Sequence, residues 1–176
     1  MTKADLFWIP GPWRGRLAIA ARPRGGDWLD DETRAWRHGG VDLVVSLLEL
    51  DEIAQLGLVD ERQAAQNQGI GFISFPIPDR GVPASTGAAI SAIESIARQL
   101  DAGRNVALHC RQSVGRSGLI ATALLMNSGM KAEEAINVVS SARGVSVPET
   151  REQRNWLEQL TFSGPVTSNP GLESVA

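Results

Sequence analysis

The stretch His109-Cys110-Arg111-Gln112-Ser113-Val114-Gly115-Arg116-Ser117-Gly118 decides how this chain is read. It lies between two apolar runs, Val106-Ala107-Leu108 before it and Leu119 to Met126 after it. The first run reads as a buried strand and the second as a buried helix, which predicts a strand–loop–helix turn. Such a turn directs successive backbone N–H groups, and the positive end of a helix, into one concavity suited to a tetrahedral dianion. Arg116 sits where its planar fork can meet two phosphate oxygens at once, a geometry that lysine lacks. The same features favour a thiolate over a thiol at Cys110, the one cysteine of the chain. Anion binding and an armed nucleophile are therefore expected at a single site.

Working outward, the composition bounds the rest. A chain of 176 residues is sized for one domain with a full hydrophobic core. Its 43% hydrophobic and 21% charged residues are ordinary for a globular domain. A formal net charge of −3 argues against nonspecific binding to nucleic acid or to an anionic membrane. One cysteine makes no internal disulfide, which fits a reducing compartment. The longest apolar run, Leu119 to Met126, falls far short of the ~20 residues that span a bilayer. The N-terminus shows no basic region followed by an apolar core, so no signal peptide is expected. The expectation is a cytoplasmic monomer, folded over residues 1–162, with a mobile tail over 163–176 containing Pro165, Pro170 and Gly171.

Along the chain, Phe7-Trp8-Ile9 and Leu17 to Ala21 read as two strands joined at Pro10-Gly11-Pro12. Trp8, Trp13, Trp28 and Trp36 fall in the first forty residues and are expected to pack an N-terminal layer. Trp28 to His38 reads as a helix closed by Gly39-Gly40, and Val41 to Leu47 as a strand. Asp51 to Gln68 predicts one or two helices broken near Gly57, and Gly71 to Ile77 another strand. Ser85-Thr86 caps a helix with the stripe Ile90, Ile93, Ile96, Ala97 and Leu100, ended by Gly103. Two helices are expected last, Ala132 to Ala142 and Pro148 to Thr161, the second with proline at its start. Strands alternating with helices mean a layered α/β domain, whose ligands collect at the carboxyl ends of the strands. Cys110 would sit there.

Expelling an alkoxide or phenoxide from a phosphate ester calls for a proton donor. The loop Pro76-Ile77-Pro78-Asp79-Arg80-Gly81-Val82-Pro83 follows a predicted strand and is stiffened by three prolines, with Gly81 allowing a turn. Asp79 is either a general acid held over the leaving oxygen or an Asx-turn residue, and its local sequence leaves both open.

Taken together, Pro-Ile-x-Asp-x-Gly-x-Pro and His-Cys-x5-Arg-Ser resemble the cysteine-dependent protein phosphatases, in particular dual-specificity phosphatases of the kinase-associated phosphatase type. The resemblance runs from about Phe7 to Leu160. It implies a central, mostly parallel sheet of about five strands flanked by helices. It also implies Cys110 as nucleophile, Arg116 as phosphate grip, Asp79 as general acid and Ser117 as the hydroxyl that assists thiolate release. His109 would order the loop, and the residues Arg111, Gln112, Ser113, Val114, Gly115 and Arg116 would line the bound phosphate. The implied substrate is a phosphorylated protein or peptide, phosphotyrosine before phosphoserine or phosphothreonine. The rivals are a phosphoinositide or RNA 5′ phosphatase, whose loops often carry lysines where this one has Gln112 and Ser113, and a noncatalytic phosphate-binding module.

Three residues keep two readings each. Arg111 either rims the site or is a solvated charge. Gln153 either faces the site or lies on a helix surface. Arg143 either steers anions or complements a helix C-terminus. No metal or other cofactor is expected, because His109 and Cys110 are adjacent and no third ligand stands at zinc-like spacing.

Overall fold

A computed structural model describes residues 3–163; the expected tail beyond Ser163 lies outside the described residues. Five strands, β1 (Leu6–Ile9), β2 (Leu17–Ala20), β3 (Leu43–Ser46), β4 (Gly71–Ser74) and β5 (Val106–His109), form one sheet. Their order is β1-β2-β5-β3-β4. Only the β1–β2 hairpin is antiparallel; β2–β5, β5–β3 and β3–β4 are parallel. The expected α/β sheet of about five strands is therefore what forms. The strand that carries the signature stretch is its centre.

Seven α-helices accompany these strands among the described residues: α1 (Leu29–His38), α2 (Leu50–Gln55), α3 (Glu61–Asn67), α4 (Thr86–Asp101), α5 (Gly115–Asn127), α6 (Ala132–Arg143) and α7 (Arg151–Gln159). None among the described residues is long and apolar enough to cross a membrane. The strand alternation divides the core in two. Leu17, Ile19, Leu43, Val45, Val106 and Leu108 share one cluster with side chains of α4, α5, α6 and α7. Ala20, Val44 and Ala107 point the other way, towards Trp36 of α1 and Ala65 of α3. Small residues on that face make room for the indole of Trp36. Helix α5 is buried from Gly115 to Leu125 on every side, as an uninterrupted apolar run requires.

Two expectations need correction. The N-terminal tryptophans do not share one packed layer: Trp36 is buried, Trp8 and Trp13 are half-buried, and Trp28 is 55% exposed under the guanidinium of Arg24. The last helix starts at Arg151 rather than Pro148, because Thr150 caps it and Pro148 lies two residues earlier, after a cis peptide bond. Gly39-Gly40 close α1 as expected, with Gly40 left-handed at φ +91° and Gly39 right-handed. The break near Gly57 is real and separates α2 from α3.

Candidate active site

The loop after β5 leads into α5 without a capping side chain at Val114, whereas Ser85 and Thr150 cap α4 and α7. The helical ladder begins with Gly118 N–H donating to the Val114 carbonyl at 2.9 Å. The amides before it are those that a helix start leaves without an internal partner. The two signature glycines are required by contact rather than by backbone angle. A Cβ on Gly115 would lie 2.8 Å from Glu149 Oε2, and one on Gly118 would lie 2.7 Å from the Val147 Cβ.

Arg116 is 2% exposed and is the focus of the site. Its Nη1 and Nη2 donate to Glu52 Oε2 at 2.7 Å and Oε1 at 2.8 Å, a bidentate pair. Nη1 also donates to the Ile77 carbonyl at 2.9 Å, and Nη2 to Asp79 Oδ1 at 3.1 Å. Burial works against the Arg116 charge. The Glu52 hydrogen bonds, with the fields of Cys110, Glu52 and Asp79, outweigh it and hold the guanidinium above its ordinary value. Glu52 takes the Nη1–Nη2 edge, which leaves Nε and the Nη2 hydrogen now shared with Asp79 to meet an anion.

The other expected residues fall as follows. Cys110 is buried, directly after β5. The Ser117 hydroxyl is buried and finds no hydrogen-bond partner among the described residues. Asp79 is not an Asx-turn residue: Gly81 N–H closes the turn on the Pro78 carbonyl at 2.9 Å, and the Asp79 carboxylate pairs with Arg116. Arg80, with φ +59°, is the left-handed residue of this turn. The imidazole of His109 turns away from the loop to Glu61, Nε2 to Oε1 2.6 Å, while its carbonyl accepts from Leu47 N–H. Arg111 is part-exposed, 4.0 Å from Glu52, and Gln112 is exposed. Ser113 is buried with φ +56°, its hydroxyl donating to the Ala20 carbonyl at 2.5 Å.

Arg143 ends α6, the helix C-terminal place that one of its two readings gave it; in addition its Nε donates to the Ser113 carbonyl at 2.8 Å and its guanidinium covers Phe7, so it also braces the loop. Gln153 is fully buried, not on the surface. Sequence reasoning missed Glu52 and Glu61. A buried guanidinium needs a carboxylate partner, and that demand was the one signal pointing to an acid; nothing local distinguishes Glu52 from Glu49 or Asp51.

The Glu52–Arg116 pair leads to a test. Removing one partner of a buried pair costs about 3–5 kcal/mol, a large share of the ~5–15 kcal/mol that holds a domain together. Exposed pairs such as Arg34–Asp31 are worth about 0–1 kcal/mol. Glu52→Gln should therefore lower the melting temperature markedly at neutral pH. The Arg116 hydrogen bonds, opposed by burial and aided by the Glu49 amide and Arg111, hold the Glu52 carboxyl below its ordinary 4.5. Because the folded value is the lower one, this stabilisation is complete above pH 4.5 and is lost as pH falls through the folded value. The gap between wild type and Glu52→Gln should shrink in that acid range. A gap that does not change with pH would show that the Glu52 charge contributes nothing.

A lone thiol and a clamped arginine at the carboxyl edge of a parallel sheet are the arrangement of the dual-specificity phosphatase superfamily. The family model described as "Tc-R-P: Polymorphic toxin system, DSP-PTPase phosphatase" matches residues 18–130, and the chain belongs to this family. Cyclin-dependent kinase inhibitor 3 of Rattus norvegicus is 26% identical over 134 residues, covering 75% of this chain and 63% of that protein. The chain thus spans under two thirds of the length of this relative. A crystal structure of kinase associated phosphatase, its catalytic-site cysteine replaced by serine, has the same fold. It aligns with a TM-score of 0.79 at 21% identity, over 89% of this chain and 93% of that one. Tk-PTP in its active form aligns with a TM-score of 0.66 at 31% identity, over 82% of this chain and 92% of that one.

Proposed function

We propose that this chain is a phosphoprotein phosphatase that works through a phosphocysteine intermediate, with phosphotyrosine as its principal substrate and phosphoserine or phosphothreonine as further ones. The Cys110 sulfur attacks phosphorus in line with the ester oxygen, and that oxygen departs with a proton from Asp79. Water then attacks the phosphocysteine, giving its proton to the Asp79 carboxylate, and Cys110 leaves as thiolate. The Ser117 hydroxyl donates to that thiolate; that it is buried and without a hydrogen-bond partner among the described residues supports this role. Arg116, with the amides from Arg111 to Arg116, holds the equatorial oxygens throughout. Every step uses groups of this chain and water. We place the reaction in the cytoplasm, on a monomer of which residues 1–162 are the catalytic domain.

The observation that carries this reading is the 3.1 Å contact of Asp79 with Arg116, which brings the acid loop over the same cradle as Cys110. Phosphate release by the purified chain tests it. p-Nitrophenyl phosphate and phosphotyrosine peptides should both be hydrolysed, with phosphothreonine peptides slower. Release from phosphoinositide vesicles alone would move the chain to a lipid phosphatase. Binding of phosphopeptide with no release from any substrate would make it a noncatalytic module.

A further inference from the structure

Gln153 lies in the first turn of α7, among exposed neighbours Glu152 and Arg154, yet it is fully buried. A buried carboxamide is tolerated when both its ends are hydrogen-bonded. Its Oε1 accepts from the amides of Glu149 at 3.1 Å and Thr150 at 3.2 Å, while Thr150 Oγ1 accepts from the Gln153 amide. That is a capping box, and it needs only the oxygen end. The nitrogen end does something else: Nε2 donates to the Gly81 carbonyl at 3.0 Å, across 72 residues of sequence.

Gly81 closes the turn that carries Asp79. The other end of that turn is tied down at Ile77, whose N–H donates to Leu47 and whose carbonyl accepts from Arg116. Two weaker links run alongside, Thr150 Oγ1 to the Arg80 carbonyl at 3.3 Å and the exposed Arg80–Glu149 pair at 3.1 Å. The same segment lies against the start of α5, where a Cβ on Gly115 would meet Gln153 Nε2 at 3.2 Å. We propose that Gln153 is a positioning residue: its amide fastens the Asp79 turn to the segment that also abuts Gly115, so the acid loop and the Cys110 loop share one anchor. This rests on the reading of Asp79 as the proton donor.

The test compares phenyl phosphate, whose leaving group needs a proton, with a difluorinated umbelliferyl phosphate, whose leaving group does not. A displacement of order 1 Å in a catalytic group costs up to about 10²-fold. Gln153→Met, which fills the same space without a donor, should slow phenyl phosphate about 10- to 100-fold and the fluorinated ester less than about twofold. Gln153→Glu keeps the capping oxygen and turns the donor to Gly81 into a second acceptor that repels the carbonyl, so it should give the same split even if Gln153→Met does not fold. In an Asp79→Asn background the Gln153 penalty should disappear. Equal slowing of both substrates by a folded Gln153 variant, or a penalty that persists in full on top of Asp79→Asn, would overturn the proposal. If Asp79→Asn alone slows both substrates equally, the acid assignment itself fails and takes this inference with it. If Asp79→Asn splits the substrates and Gln153→Glu does not, Asp79 stands and only the strut falls.

Discussion

Cys110→Ser is expected to abolish turnover of every phosphate ester while leaving the fold and anion binding in place. The chain has no other thiol, and a serine hydroxyl is not ionised near neutral pH, so no substitute nucleophile stands in the cradle. Serine is close to cysteine in size, which matters at a position only 2% exposed. The groups proposed to hold phosphate, Arg116 with its Glu52 clamp and the amides at the start of α5, are untouched. The variant should therefore melt near the wild-type temperature and bind a phosphotyrosine peptide by calorimetry. Residual turnover above a few per cent, in a preparation freed of other phosphatases, would remove Cys110 from the role of nucleophile.

Asp79→Asn should give the next largest loss, and one that depends on the substrate. A general acid contributes roughly 10²–10⁴-fold, mostly where the leaving group is poor. Asparagine keeps an oxygen that can accept from Arg116, so the 3.1 Å contact and the turn that carries it need not change. What disappears is the transferable proton. Hydrolysis of a phosphotyrosine peptide should fall by that factor, and hydrolysis of a fluorinated umbelliferyl phosphate by far less. Equal losses would mean that Asp79 shapes the turn and donates nothing.

The central strand, the loop and the buried helix were legible because each is local: an apolar triplet, a polar ten-residue stretch and an apolar octet in immediate succession. The helix break at Gly57 was legible for the same reason, since a residue at φ +68° marks itself as glycine. The partners of the site were not legible, because they are long-range. Glu52 meets Arg116 across 64 residues and Glu61 meets His109 across 48. No periodicity singles out either acid from the exposed carboxylates beside it. Gln153 has the same difficulty in milder form. Its capping box with Thr150 is a local motif, yet its bond to Gly81 depends on how α7 docks. Pro148 misled because proline at a helix start and proline shortly before a capped start look alike until Thr150 is seen to accept from Gln153.

The left-handed backbone of Ser113 bears on how the rim of this loop can be rebuilt. Side chains with a branched Cβ resist φ +56°, and Arg143 and the Ala20 carbonyl hold the residue from two sides. Position 113 is therefore unfavourable for β-branched and bulky residues. Arg111 and Gln112, open to solvent on the same loop, carry no such restriction. Variation confined to those two positions changes the rim and leaves the Ser113 contacts with Ala20 and Arg143 in place.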